Sequence, residues 1–274
     1  MTFRLMPDAD FRGSLARLRD SFAVDSGVVG LGEPAVRALV KTIPGLATFP
    51  ALSGPAFAVP STQQALWVFL GGEDRGALVH ATAKLRALLQ PAFELADLMD
   101  TFVYAGGRDL TGYEDGTENP KDGKAAEAAL VSGAVGLGGS SFVAVQRWVH
   151  DLKHFNEYPG HQRDAIIGRK QDTNEELTDA PESSHVKRTA QESYDPPAFM
   201  LRRSMPWAGM NDQGLEFIAY VESLNRFERM LRRMVGLDDG IPDALFKFSR
   251  AVTGGYYWCP PIQAGRLDLS YLGM

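Results

Sequence analysis

Residues 112–120, GYEDGTENP, hold the densest group of reactive side chains in this 274-residue chain. Glu114, Asp115 and Glu118 share the stretch with Thr117, Asn119, two glycines and a closing proline. Gly and Asn accept positive φ and Pro lacks an N–H, so the stretch reads as a tight loop, not a helix or central strand. Such a loop offers successive backbone N–H groups to an anion and aims its carboxylates in different directions. Asp115, between Glu114 and Gly116, is the carboxylate to follow. The loop lacks the alternating oxygen ligands of a calcium loop, which argues against a Mg²⁺ or Ca²⁺ enzyme built on these three acids.

Partners for that carboxylate must come from elsewhere. The chain has five histidines, His80, His150, His154, His161 and His185. His150 and His154 are four apart but straddle a strand–helix junction and lack the H-E-x-x-H glutamate, which disfavours zinc. His185 opens HVKRT, and Arg202 follows seventeen residues later in FMLRRSMPW. On a strand, alternate side chains share a face, so Arg202 and Ser204 point one way and Arg203 the other. The single cysteine, Cys259, excludes an internal disulfide, a Cys-based zinc or iron–sulfur site and c-type haem attachment. A net charge of −6 argues against nucleic-acid and anionic-membrane partners. No apolar run approaches the ~20 residues of a membrane span, and MTFRLMPDADF carries no export signal. A cytoplasmic protein is expected.

The elements that must position these groups can be read in order. Residues 3–6 read as a strand, and Asp8 or Asp10 then caps a helix bearing Phe11, Leu15, Leu18 and Phe22 on one face. Residues 34–40 form a second helix opened by Pro34, residues 43–62 a loop, and residues 65–70 (ALWVFL) a buried strand. A helix over 73–89 and a strand over 102–104 bring the chain to the acidic loop. In the second half, strands are expected at 140–150, 185–189, 199–205, 215–223 and 251–259. A short helix at 151–156, a polar insertion at 158–184 and a helix from Asn225 lie between them. The order predicts an α+β fold of two ferredoxin-like domains with antiparallel sheets, one over 1–130 and ending in the acidic loop, the other over 131–274.

The chain resembles the dye-decolorising peroxidases, specifically their bacterial class B subgroup. That family's signature, G-x-x-D-G extended as G-[FY]-x-D-G-T-E-N-P, is matched throughout by residues 112–120. GGSSFVAVQRWVHDLKHFN, IGR with the later NEEL, SSHVKRT, LRRSMPW and VTGGYYW are also similar. The resemblance implies one haem b (iron protoporphyrin IX) per chain, bound in the C-terminal half. By motif, His185 is the axial iron ligand, Asp115 the distal carboxylate, Arg202 the distal arginine and Ser204 a distal hydroxyl. Gly116, Thr117, Glu118 and Asn119 would follow the haem edge, Phe217 would cover the distal face, and His150 would lie near a propionate. The second nitrogen of a ligating imidazole wants a carboxylate or carbonyl, and either Glu192 or Asp195 is a candidate.

The implied activity is reduction of hydrogen peroxide with oxidation of dyes, phenols or other small aromatic donors. A haem-handling protein with little turnover is the alternative. Relatives form dimers or larger assemblies, so a homo-oligomer is implied. The chain stops soon after its last strand, at GRLDLSYLGM, so packaging in a protein shell is not expected. A free Asp titrates near ~3.9 against ~6.5 for His, so a distal aspartate predicts dye oxidation that peaks in acid.

Overall fold

The computed structural model describes every residue except 134 and 135. Ten strands form one antiparallel sheet, numbered here in chain order. They are β1 (Thr2–Leu5), β2 (Gly27–Leu31), β3 (Leu66–Leu70), β4 (Phe93–Asp97) and β5 (Ser141–His150), followed by β6 (Leu201–Arg202), β7 (Met205–Ala208), β8 (Gln213–Val221), β9 (Ser249–Ala251) and β10 (Gly255–Cys259). Among the described residues eight α-helices accompany them: α1 (Phe11–Ser21), α2 (Glu33–Ala38), α3 (Arg75–Leu89), α4 (Gly123–Ala129), α5 (Leu152–Glu157), α6 (Gly160–Ile167), α7 (His185–Arg188) and α8 (Leu224–Met234).

The strand order is β4-β1-β3-β2-β10-β5-β8-β6, with β7 also on β8 and β9 also on β5. Each half of that list has its fourth strand beside its first and its third between first and second, the ferredoxin-like order. The halves meet where Trp258 of β10 pairs with Leu31 of β2. The expected α+β fold is therefore present as two ferredoxin-like units sharing one continuous sheet.

Alternation along the strands sorts two apolar faces. On β5, Phe142, Ala144 and Trp148 join the large core beneath the helices, while Val143 and Val145 pack with Trp67, Ile218 and Tyr257 on the other side. Asp10 supplies the cap for α1, accepting from the Gly13 N–H at 2.9 Å, and Leu15 and Leu18 turn inward from it. Asp74 caps α3 through the Gly76 and Ala77 N–H groups. On α8, Phe227, Met230, Leu231 and Met234 recur at helical spacing and are buried. Among the described residues no helix is long and apolar enough to cross a membrane.

Several expected elements differ. The strand expected at 199–205 is split into β6 and β7, and the insertion expected at 158–184 contains α6. Residues 102–104 are not a strand; Phe102, Val103 and Tyr104 are exposed. The edge of β1 they would have occupied is taken by β4, with Leu5 opposite Phe93. The stretch 251–259 is broken into β9 and β10, because the Arg147 N–H of β5 bonds the Thr253 hydroxyl at 2.7 Å and interrupts the ladder. Residues 185–189 are helical, not extended, and this matters most for the site.

Candidate active site

The acidic loop is a miniature hairpin. The Asp109 N–H donates to the Tyr113 carbonyl at 2.9 Å and the Asp115 N–H to the Gly107 carbonyl at 3.2 Å, with Arg108 bridged to Glu114 between them. Rungs two residues apart share a face. Arg108 and Glu114 therefore pair outward, at 3.0 Å, while Asp109, Tyr113 and Asp115 point inward. Gly116, at φ 71°, turns the chain out of the hairpin.

Asn119 then clamps a distant strand. Its side-chain oxygen accepts from the Arg202 N–H at 2.8 Å and its side-chain nitrogen donates to the Arg202 carbonyl at 2.9 Å. Arg202 is itself set on β6 opposite Ala219 of β8. Glu118 is anchored by Arg169 at 2.6 Å, and its carbonyl accepts from Gln191. Thr117 accepts from Asn174 at 3.2 Å.

His185 is the first residue of α7. Its Nδ1 lies 2.8 Å from Oδ2 of Asp243, whose side chain is wholly buried. The other Asp243 oxygen accepts from the Leu245 N–H at 2.8 Å. A carboxylate accepts and does not donate, so Nδ1 carries the proton and Nε2 keeps its lone pair. That lone pair has no partner among the described residues. Neither Glu192 nor Asp195 makes this contact; Asp243 does. Nothing in its local sequence, IPDAL, announces the role, because the pairing spans 58 residues and depends on where α8 ends.

Asp115, Arg202 and His185 each line two neighbouring pockets, an outer one of about 720 Å³ and an inner one of about 120 Å³. Leu215, Phe217, Phe227, Met230, Met234 and Leu245 give the inner part an apolar wall. Burial pushes the Asp115 carboxyl above the ordinary carboxylate range, and the Arg202 guanidinium only partly offsets this. Burial lowers the Arg202 guanidinium from its usual value, with Asp115 and Glu118 opposing. The Arg202 Nε is buried without a hydrogen-bond partner among the described residues.

The remaining expected residues divide. Phe217 lines the inner pocket. His150 does too, but both its ring nitrogens are engaged, Nδ1 with Ser249 at 2.7 Å and Nε2 with Asp109 at 3.3 Å. The register between Ala219–Arg202 and Glu216–Met205 sets Ser204 opposite Phe217. Yet Ser204 lines a separate groove on the sheet, and its hydroxyl is buried and unpartnered among the described residues.

Known proteins carry the same frame. The sequence signature described as Dyp-type peroxidase, C-terminal, matches residues 106–264. The chain belongs to the Dyp-type peroxidase family. The dye-decolorizing peroxidase of Mycobacterium tuberculosis is 30% identical over 221 residues, 78% of this chain and 66% of that protein. Its counterpart in Rhodococcus erythropolis is 31% identical over 245 residues, 86% of this chain and 72% of the relative. The chain thus spans about two thirds of the length of the first of these curated relatives. A DypB variant from Rhodococcus jostii RHA1, solved in complex with heme, superposes with a TM-score of 0.88 at 28% identity, over 95% of this chain and 91% of its own.

Within this Dyp-type framework, the Asn119 clamp makes a test. Asn119→Ala removes both Asn119 hydrogen bonds to the Arg202 backbone; the carbonyl keeps a 3.3 Å bond from the Arg203 guanidinium, while the N–H loses its Asn119 acceptor. We expect about 1–3 kcal/mol of destabilisation from the N–H left without that acceptor. Urea unfolding monitored by circular dichroism checks it.

Proposed function

We propose that this chain binds one iron protoporphyrin IX in the cavity between His185 and the Asp115–Arg202 pair, and uses hydrogen peroxide to oxidise dyes, phenols and similar small aromatic donors. The observation that carries the reading is His185, with one nitrogen held by a buried carboxylate and the other unbonded toward an apolar-walled cavity that holds an acid and a guanidinium.

The chain's groups fit such a cofactor. Nε2 of His185 supplies a lone pair to iron, and the Asp243 contact strengthens its donation and fixes the ring. The apolar wall suits a porphyrin face, while Thr117, Glu118 and the main chain of Gly116 line the wider, polar chamber. Bound there, the haem would supply the metal site for peroxide and store its oxidising equivalents. Asp115 takes the proton from one peroxide oxygen and returns it to the other, the work of a positioned base. Arg202 remains charged and stabilises negative charge growing on the departing oxygen. A cytoplasmic location and a homo-oligomer stay within this proposal, resting on the unpaired Cys259 and on family resemblance.

An absorption spectrum of the purified protein tests the reading. Haem should give a strong Soret band that shifts on mixing with peroxide. A protein that stays colourless when haem is supplied overturns haem binding, and a Soret band indifferent to peroxide overturns peroxidase turnover.

The raised Asp115 pKa revises the pH expectation upward. Activity with peroxide should fall in acid as Asp115 gains its proton, at a pH above that of an ordinary carboxylate. The sign for stability follows. The folded pKa exceeds the unfolded one, so the stabilising contribution is present below the unfolded value and is lost as pH rises through the folded value. Asp115→Asn should therefore raise the melting temperature at neutral pH while slowing the peroxide reaction about 10²–10⁴-fold. Calorimetry and stopped-flow absorbance check the two halves.

A further inference from the structure

We infer that Asp109 is a positioning residue for the peroxide reaction, a fixed anion set across the hairpin from Asp115 that governs how tightly Asp115 holds its proton. The inference deepens the peroxidase reading and rests on it for its catalytic consequence.

The hairpin geometry brings the two acids together. Its rungs join Asp109 to Tyr113 and Asp115 to Gly107, so Asp109 and Asp115 are diagonal neighbours on one face. Diagonal positions on paired strands lie ~7–8 Å apart, within reach of strong coupling where water is scarce. Both residues line the inner pocket. Tyr113, which shares their face, does not intervene chemically, because its hydroxyl is committed to Asp164 at 2.5 Å.

Asp109 is built to stay an anion in one orientation. Its Oδ2 accepts from the Thr111 N–H at 2.8 Å and from the Thr111 hydroxyl at 2.5 Å, which also closes the turn. Its Oδ1 faces Nε2 of His150 at 3.3 Å. Nε2 therefore carries the proton, and Ser249 engages Nδ1 from behind at 2.7 Å. Burial would push the Asp109 carboxyl up, but the His150 and Thr111 contacts hold it below the ordinary range. This contrasts with Asp115, six residues later, which burial pushes up, Arg202 pulls down and Asp109 pushes up again.

The titratable and charged groups facing the two acids are few. Arg202 of β6, His185 of α7 and Asp109 face Asp115, and His150 of β5 faces Asp109. Like charges disfavour simultaneous ionisation. Asp109 thereby makes Asp115 a stronger base than burial and Arg202 alone would leave it, and a base works best with a pKa near the operating pH.

The test is infrared titration of the ferric holoenzyme carrying ¹³C-labelled aspartate. The protonated-carboxyl band of Asp115 is assigned by its loss in Asp115→Asn. Asp109→Asn keeps an oxygen acceptor for Thr111, so the turn survives while the charge goes. Its Asp115 midpoint should fall by about one pH unit, a tenfold change in ionisation constant. The acid limb of the peroxide reaction should move down with it. Asp109→Ser, which also keeps a turn-closing oxygen, should behave alike, and Asp109→Glu should restore the wild-type midpoint. A midpoint that stays put, or rises, in the uncharged variants overturns the inference. Because the midpoint is read without turnover, it judges Asp109 separately from the peroxidase reading itself.

Discussion

Replacing His185 with alanine is expected to give a folded protein that no longer retains haem. The reason lies in the count of lone pairs facing the cavity from that side. Nε2 of His185 is unpaired among the described residues, because Nδ1 donates its hydrogen to Asp243. Loss of a partner behind a metal ligand alone costs about 10–100-fold in affinity or activity. Loss of the ligand itself should exceed that, and turnover should fall at least about a thousandfold. The alanine variant also leaves the buried Asp243 carboxylate without its imidazole. The bond from the Leu245 N–H to that acid remains. Asp243→Asn separates ligation from orientation. An amide nitrogen at that position can donate to Nδ1, which would move the ring proton to Nε2 and block ligation. Absorbance titration with haem, beside circular dichroism for folding, checks both variants. An unaltered Soret band and full turnover in His185→Ala would sink the assignment.

How much of this was legible in the sequence depends on the range of the interaction. Short-range signals were sound. The glycines and proline of residues 112–120 marked a loop, and the loop is there, with Gly116 at positive φ. SSFVAVQRWVH reads as a strand over 140–150, and β5 is there, buried along its length apart from a half-buried Arg147. Long-range pairings were not legible. HVKRT has the β-branched start of a strand, yet the Arg188 guanidinium bonds Asp239 and the carbonyl of Arg233, pinning that turn against the end of α8 as a helix. Glu192 and Asp195 lie close to His185 along the chain, yet neither pairs with it. Asp243 wins because α8 folds back and delivers it, through the Asp243 N–H bond to the Met234 carbonyl. The exposed FVY of residues 102–104 misled for a related reason. An apolar run becomes a strand only where a sheet edge is free, and β4 had already filled that edge.

Arg202→Met should keep the haem and lose about 10²–10³-fold in the rate of reaction with peroxide. Methionine replaces the length of the side chain, so the cavity keeps its shape while the charge and the fork of donors disappear. Removal of one preorganised donor from a site of developing negative charge costs about 3–4 kcal/mol, which is that rate loss. A second effect identifies the cause. Arg202 is the main group opposing the burial-driven rise of the Asp115 pKa, so without it Asp115 should hold its proton to a still higher pH. The acid limb of the peroxide reaction must then move up as the plateau falls. Asp109→Asn should move the same limb down, which makes the pair of variants a sign test of one electrostatic balance. Arg202→Lys should keep most of the Asp115 position and lose part of the plateau, because an ammonium is a point charge without the planar fork. Stopped-flow mixing with peroxide across pH reads plateau and limb together. A plateau loss with the limb unmoved would mean that Arg202 acts on peroxide alone, and that Asp115 takes its proton affinity from elsewhere.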